Sequence, residues 1–185
     1  MSESGPRRAD AAVPDRNFTE LLQRQQNLLD DTMALVSLMS RSPREEWVSV
    51  HDLAREVWAD QPTGEETLRL GHAERIRADR QWAGFLLESL FENMLTHART
   101  DEIEVGVRDG RLVVADDGPG IPIEARDRVL ESGFSSSPTG SGFGLSVVRH
   151  VAAALEWGIR IEERNDGGAQ FVFTGVTVDH SSTVE

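Results

Sequence analysis

The feature that most constrains the fold is a pair of alternating apolar runs joined by a two-residue turn at Asp109-Gly110. Every second residue in these runs is aliphatic, at Ile103, Val105, Val107, Leu112 and Val114. Alternation with period two places side chains on one face of a strand, and Asp-Gly between two such runs is typical of a tight hairpin. The chain must therefore build a sheet with an apolar face, and another layer has to cover that face.

Predicted helices lie on either side of this hairpin. Asp79 suits the N-cap of a helix over 80–98, and apolar spacing indicates a second helix over 145–155. A short helix near 123–131 and an amphipathic segment over 48–58 are also predicted. Further strands are predicted at 67–70 and 75–78 around a turn at Gly71, and at 159–163 and 171–173. We interpret this as an α+β fold, a two-layer α/β sandwich in which helices cover one face of a mixed sheet.

The 185 residues suffice for one ordinary domain with an extension. We expect a flexible tail over 1–17, an N-terminal helical region over 18–45, the domain itself over 46–178 and a second tail over 179–185. The helix itself is predicted over 18–40, and its apolar stripe calls for packing against the domain or against a second copy in a homodimer.

Charge and composition exclude several classes of protein. Lys and Arg number 19 against 32 Asp and Glu, and the net charge of −13 argues against a nucleic-acid-binding surface. The lack of cysteine excludes disulfides, thiolate metal sites and a cysteine nucleophile. With no apolar run near the ~20 residues of a membrane span and no signal sequence, we expect a cytoplasmic protein without a membrane segment. The acid excess also suits a halophilic source.

Three polar residues share one stripe of the predicted 80–98 helix. Ser89, Asn93 and His97 are spaced four apart and are flanked by apolar residues. An amide on such a face costs stability unless something binds it, which indicates a ligand site. An Asn whose amide is satisfied by the backbone is the alternative.

An acidic and glycine-rich motif follows the predicted hairpin. The run Asp116-Asp117 places an acid at the end of the strand, and Gly118, Gly120 and Ile121 follow it. Glycines let a flat ligand approach the main chain closely, and a carboxylate can accept a hydrogen bond from an exocyclic amine such as that of adenine. A surface turn is the alternative, because Asp and Gly are common turn residues.

A second glycine motif runs straight into the predicted 145–155 helix. Gly140, Gly142 and Gly144 alternate before the helix start, where backbone N–H groups and the helix dipole favour phosphate oxygens. The spacing matches neither the dinucleotide-binding pattern nor the P-loop. A flexible linker is the alternative.

In this order, the segments resemble the ATP-binding domain shared by sensor histidine kinases, type II topoisomerases, the ninety-kilodalton heat-shock chaperones and mismatch-repair ATPases. Residues 88–97 resemble the N box, 116–120 the first glycine box, 133–135 the F box and 140–145 the second glycine box. The F box, the second glycine box and the following residues 146–150 look most like histidine kinases, particularly those of haloarchaea. The resemblance covers about residues 46–176 and implies a Bergerat-type ATP-binding fold.

The resemblance implies ATP and Mg²⁺ as cofactors. Asn93 would ligate Mg²⁺, His97 would lie near the phosphates and Asp116 would bind the adenine amino group. Gly118, Gly120 and Ile121 would shape the adenine pocket. A magnesium ion takes few protein ligands and keeps its waters, so one amide oxygen with phosphate oxygens is a plausible set.

The resemblance also implies a lid over the triphosphate. Its flexible part would be formed by Gly140, Gly142 and Gly144, with Phe143 and Leu145 as anchors. Phosphoryl transfer then needs mainly positioning and charge neutralisation.

The sequence departs from the family at two points. Ser89 stands where histidine kinases usually carry Asn and topoisomerase-like members a Glu that activates water, so no catalytic residue is assigned, although Glu88 and Glu92 are close by. The segment 18–40 contains no histidine to serve as phosphoacceptor. His51 precedes Asn93 by only 42 residues, too few for a second hairpin helix and the first strands.

Three functions remain open. The first is a histidine kinase domain that transfers the γ-phosphoryl group of ATP to a histidine outside this chain, with an acceptor domain or a response regulator as partner in trans. The second is a nucleotide-gated module that binds a partner without kinase activity. The third is a serine kinase of the anti-sigma type.

Overall fold

A computed structural model describes residue 36, residues 42–131 and residues 144–179. The predicted tails 1–17 and 180–185, the 18–40 helix apart from Val36, the F box and Gly140, Gly142 and Phe143 lie outside these residues. The described helices are α1 (Val50–Ala59), α2 (Arg80–Asn93) and α3 (Gly144–Ala154). The strands are β1 (Glu46–Ser49), β2 (Thr67–Leu70), β3 (Arg75–Ala78), β4 (Glu102–Arg108), β5 (Arg111–Asp116), β6 (Gly158–Glu163), β7 (Ala169–Thr174) and β8 (Thr177–Asp179).

The main sheet has five strands in the order β2-β4-β5-β7-β6. Strand β2 runs parallel to β4, and the other neighbours are antiparallel. The predicted β4–β5 hairpin is present, and both turn residues, Asp109 and Gly110, have positive φ angles of 50° and 70°. That geometry is the one a two-residue turn needs to match the twist of its strands.

A smaller sheet of three strands, β1-β3-β8, lies beside the main one. Strands β2 and β3 are therefore both present as predicted, but they pair in different sheets and not with each other. Strand β1 occupies the start of the segment predicted as amphipathic over 48–58, because Ser49 caps α1 by accepting a hydrogen bond from the backbone N–H of Asp52. Strand β8 continues to Asp179, one residue beyond the predicted domain end.

Helix α2 packs on the helix-facing side of the main sheet and is the centre of the core. Its fully buried side chains are Leu86, Leu87, Leu90 and Phe91. They cluster with alternating residues of three adjacent strands, among them Ile103, Val105, Val114, Phe171 and Phe173. Each such side chain contributes about 1.5–3 kcal/mol when it leaves water. The α+β sandwich with helices against a mixed sheet is as predicted from the sequence.

The N-cap of α2 is Asp79, as predicted, and it also holds the entering chain. Its Oδ1 accepts hydrogen bonds from Gln81 N and Trp82 N at 3.0 and 3.1 Å, and its Oδ2 accepts one from Arg44 N at 2.7 Å. A cavity of about 1060 Å³ between Ser42 and Gln81 lies at this end of α2. Its lining contains none of the predicted nucleotide-site residues.

Ion pairs connect charged side chains on the face of the main sheet that is turned away from the helices. Glu104 of β4 is buried, and its carboxylate oxygens bind Arg69 of β2 and Arg108. Arg164, at the end of β6, lies 3.5 Å from Glu102 Oε1 and 3.9 Å from Glu104 Oε2 through its Nη2. These ion pairs draw the β6–β7 turn toward β4. Among the described helices, none is both long enough and apolar enough to cross a bilayer.

Candidate functional site

Asp116 ends β5 on the helix-facing side of the sheet. It continues the alternating row formed by Leu112 and Val114, and only 2% of its surface is exposed. Its Oδ1 accepts hydrogen bonds from Gly118 N at 2.9 Å and from Ala169 N at 3.3 Å. The described residues thus fix the carboxylate through one oxygen, and the second oxygen is the one that a ligand amine could use.

Burial raises the pKa of Asp116 above its ordinary value. The hydrogen bonds from Gly118 and Ala169 oppose that rise, the charge of Asp117 adds to it, and Arg164 lowers the pKa slightly from the other side of the sheet. A carboxylate held out of water in this way is stabilised when a donor reaches it. This is the electrostatic character expected of a group that binds an exocyclic amine.

Two glycines bring three backbone segments into direct contact around Asp116. A Cβ on Gly118 would lie 2.3 Å from the carbonyl oxygen of Ala98, and one on Gly168 would lie 2.0 Å from that of Asp116. Gly120, at φ 76°, faces the Gly168 carbonyl, which a Cβ would approach to 3.1 Å. Only glycine permits such approaches, so the glycine box, the end of the N box and the β6–β7 turn meet at one place.

The N box does not end as one continuous α-helix. Helix α2 stops at Asn93, and Met94–Ala98 form a π-helical turn that Arg99 ends with a left-handed φ of 47°. The helix predicted over 80–98 is therefore present over that range, but its last five residues are π-helical and not α-helical. The last residue of this turn, Ala98, lies against the backbone of Gly118, and single π turns are frequent at functional sites.

Asn93 and His97 lie at the two ends of this stretch. Asn93 is half-buried, and His97 is exposed. Desolvation lowers the pKa of His97, so its ring is neutral at neutral pH. Asn93 and His97 therefore lie beside or on a turn whose last residue, Ala98, contacts Gly118 of the glycine box. Such a contact is needed if the two motifs form one site.

Asp117 binds the loop that follows the π turn. Its Oδ1 accepts hydrogen bonds from Thr100 Oγ1 at 2.5 Å, Asp101 N at 2.9 Å and Glu102 N at 3.0 Å. Desolvation alone would raise the pKa of Asp117, but these bonds together outweigh it and lower the pKa. The two adjacent carboxylates therefore have pKa values shifted in opposite directions.

Replacing Asp117 by Asn should lower the melting temperature at neutral pH but not in acid. A lowered folded pKa means that the carboxylate contributes stability above its unfolded pKa, and that this contribution is lost as the pH falls through the folded pKa. Thermal unfolding of the wild type and Asp117→Asn between pH 7 and pH 2.5 checks this. A melting difference that is the same at every pH would contradict it.

The remaining predicted site residues are placed as follows. Ile121 is half-buried at the edge of the core, and its carbonyl oxygen accepts a hydrogen bond from Arg126 Nε at 2.9 Å. Gly144 begins α3, and Leu145 packs against the core. The short helix predicted near 123–131 is instead two 3-10 turns, Ile123–Ala125 and Arg128–Leu130. The lid residues Gly140, Gly142 and Phe143 lie outside the described part of the chain.

The position that departs from the family is a core position. Ser89 is only 5% exposed on α2, and Glu88 lies near enough to Asp60, at the C-terminal end of α1, for their charges to interact. Desolvation and then the charge of Asp60 raise the pKa of Glu88. Neither residue has contacts that assign it to the chemistry, and no catalytic base is assigned.

Sequence reasoning missed the contribution of the β6–β7 turn. Ala169 supports Asp116 from 53 residues away, Gly168 contacts it beside Ala169, and Arg164 anchors their turn to β4. The strands predicted at 159–163 and 171–173 imply a turn between them, but no local pattern indicates which strand end that turn meets. Pairing of β5 with β7 is what brings them together.

The residues present fit a purine nucleotide with Mg²⁺. The fit rests on the buried carboxylate of Asp116 and on backbone surfaces at Gly118 and Gly168 that a Cβ would fill. Within residues 42–131 and 144–179, no group of three or more acidic or His side chains could hold a metal by itself. A single amide ligand such as Asn93, completed by phosphate oxygens and water, suits Mg²⁺.

Comparisons with known proteins agree with this geometry. Residues 78–177 match the family model of the histidine kinase-, DNA gyrase B- and HSP90-like ATPases. The sensor protein RstB of Escherichia coli K12 is 30% identical over 139 residues, which cover 69% of this chain and 31% of RstB. The chain thus spans about a third of the length of RstB.

Solved structures show the same fold. The mycobacterial sensor histidine kinase MprB superposes with a TM-score of 0.60 at 21% identity, over 73% of this chain and 97% of that structure. Full-length ShkA in complex with AMPPNP gives a TM-score of 0.65 at 24% identity, over 85% of this chain and 36% of ShkA. Since the family model covers more than half of the sequence, the chain belongs to the family of histidine kinase-, DNA gyrase B- and HSP90-like ATPases.

Proposed function

We propose that this chain binds Mg-ATP and transfers the γ-phosphoryl group to a histidine on another polypeptide. The observation that carries the proposal is Asp116, a buried carboxylate whose Oδ1 is fixed by two backbone N–H groups between two glycine contacts. The match to the ATPase family and the likeness to sensor kinases support the nucleotide and the reaction class.

Each residue has a defined task in this proposal. Asp116 accepts a hydrogen bond from the adenine amino group, and the backbone of Gly118, Gly120 and Ile121 borders the base. Asn93 provides the protein ligand to Mg²⁺, which supplies neutralisation of phosphate charge when bound. His97, neutral at neutral pH, can donate a hydrogen bond toward the phosphates without adding charge.

The acceptor histidine is proposed to lie outside this chain. Two of the described histidines are held by backbone carbonyls: His51 Nε2 donates to Gly71 O at 3.0 Å, and His150 Nδ1 donates to Ser146 O at 2.6 Å. Such bonds orient the ring within its own domain. Residues 18–40 contain no histidine, and a hairpin bearing the acceptor, or a response regulator, is the proposed partner in trans.

The test uses labelled ATP and isolated acceptor hairpins of sensor kinases. The wild-type chain should transfer label to an acceptor histidine in an acid-labile, base-stable linkage. Binding of ATP without label on any of the hairpins would contradict the kinase proposal. A label that survives acid would point to a serine kinase instead.

Replacing Asn93 by Ala should remove the magnesium-dependent part of nucleotide binding. Wild-type melting temperature should rise more with ATP and Mg²⁺ than with ATP and a chelator, because a ligand that binds only the folded state stabilises it. In Asn93→Ala, the two conditions should give the same shift, and label transfer should fall by about 100-fold or more. Retention of the extra shift with Mg²⁺ would contradict the assignment.

One observation favours the second candidate, a nucleotide-gated binding module. Ser89 is buried at the position where the related families usually carry Asn or Glu, and a serine there supplies no carboxylate base for phosphoryl chemistry. If this candidate is correct, the chain should bind a partner with an affinity that changes with Mg-ATP while no label is transferred. The Asn93→Ala variant should keep the nucleotide-free affinity and lose the change.

A further inference from the structure

The two carboxylates at the end of β5 contact different parts of the site. Asp116 binds Gly118 N and Ala169 N, on the side of the glycine box and the β6–β7 turn. Asp117 binds Thr100, Asp101 and Glu102, in the segment that leads from the π turn into β4. Asp116 is the last residue of β5, whereas Asp117 follows it outside the strand, and the two sets of contacts do not overlap.

The contact of Asp117 with Thr100 is reciprocal, and it joins an exposed carboxylate to a buried hydroxyl. Thr100 is only 5% exposed, its Oγ1 donates to Asp117 Oδ1 at 2.5 Å, and the same Oγ1 accepts from Asp117 N at 3.4 Å. Hydrogen bonds to an ionised acceptor are stronger than neutral ones. Three donors on one carboxylate oxygen therefore fix the backbone of residues 100–102 relative to the glycine box.

That backbone directly follows the turn that carries the N box residues. Ala98, the last residue of the π turn, touches Gly118, and Arg99 reverses the chain with its left-handed φ. His97 precedes Thr100 by three residues and Asn93 precedes it by seven. Asn93 and His97 are joined to Thr100 through this turn, whereas the hydrogen bonds of Asp116 come from Gly118 N and Ala169 N.

We propose that Asp117 and Thr100 form a latch, defined by the Oγ1–Oδ1 hydrogen bond between them, that positions the π turn for binding the triphosphate but does not affect recognition of the purine. Both residues are positioning residues that act through Asn93 and His97. The inference rests on the proposed function, since it divides that function between two neighbouring carboxylates. Nothing in the latch itself needs to touch the nucleotide.

The test measures affinities for adenosine and for Mg-ATP in Asp117→Ala, Thr100→Val and Thr100→Ser. Loss of a hydrogen bond to a charged group should weaken Mg-ATP binding about tenfold in the first two variants, while adenosine affinity stays within about twofold of wild type. Thr100→Ser keeps the hydroxyl and should behave as wild type. Amide hydrogen exchange at Asp101 and Glu102, measured without nucleotide, should accelerate in Asp117→Ala.

Three results would overturn the inference. Equal losses for adenosine and Mg-ATP would show that the latch merely supports the fold, and unchanged affinities for both would show that it has no role in binding. If Asp117→Ala does not fold, the Thr100→Val and Thr100→Ser pair still decides the matter, since wild-type-like Mg-ATP binding by both would overturn the inference. A wild-type chain that binds neither ligand would overturn the proposed function itself, which is a distinct outcome.

Discussion

Asp116→Asn is expected to lower the affinity for ATP by about 10- to 100-fold without destabilising the nucleotide-free chain. The amide oxygen of Asn can accept from Gly118 N and Ala169 N as the carboxylate does, so the local hydrogen bonds are kept. What disappears is the negative charge that the adenine amino group would meet. Isothermal titration with ATP and with ITP, whose purine carries an oxygen in place of that amine, should show selectivity for ATP in the wild type and its loss in the variant.

The change in stability caused by Asp116→Asn can be predicted in direction. Burial raises the pKa of Asp116, so the folded chain is destabilised by the charged carboxylate at neutral pH and relieved of that penalty as the pH falls through the raised pKa. Asp116→Asn should therefore melt at the wild-type temperature or above it at pH 7. The matched control is Asp117→Asn, which should melt lower and keep its preference for ATP over ITP. ATP binding unaffected by Asp116→Asn would contradict the assignment of the purine site.

Gly168→Ala is expected to have the largest effect on stability. The φ of Gly168 is 93°, and an added Cβ would lie 2.0 Å from the Asp116 carbonyl oxygen and 3.0 Å from the Asp117 Cα. The positive φ costs a non-glycine residue about 1–2 kcal/mol, and the steric conflict with backbone adds about 1–3 kcal/mol. Chemical denaturation should reveal both contributions, and ATP affinity should fall because Asp116 is displaced.

Gly167→Ala is the matched control for that substitution. Gly167 has a nearly identical φ of 94°, but an added Cβ meets nothing within 4 Å. Its loss of unfolding free energy should be limited to the backbone contribution, and ATP affinity should stay at the wild-type value. Equal losses in the two variants would mean that the contact between the β6–β7 turn and the end of β5 is looser than the structure indicates.

Local sequence patterns were sufficient for the elements that depend on neighbouring residues. Asp109-Gly110 predicted the β4–β5 hairpin because the turn residues and the alternation of the flanking strands agree. Asp79 predicted the start of α2 for the same kind of reason, since a capping side chain acts within one helical turn. The resemblance to ATP-binding domains added the order in which such elements form a site.

Local sequence patterns do not indicate which strands pair when they are distant in sequence. Strands β2 and β3 look like one unit around Gly71, yet each is completed by a partner that is distant in sequence. The support of Asp116 by Ala169 depends on β5 and β7 being neighbours, a fact that neither strand encodes alone. The contact between the end of the π turn and the glycine box, at Ala98 and Gly118, likewise joins segments that no local pattern connects.

The two carboxylate oxygens of Asp79 connect the start of α2 to the segment that precedes the domain. One carboxylate oxygen holds the first turn of α2, and the other holds the main-chain nitrogen of Arg44, where the described chain enters the domain. At 1.5 Å per residue, the 14 residues of α2 form a stiff rod roughly 21 Å long that ends at Asn93. A displacement of the segment at Arg44 would therefore act directly on the first turn of the helix whose other end is Asn93.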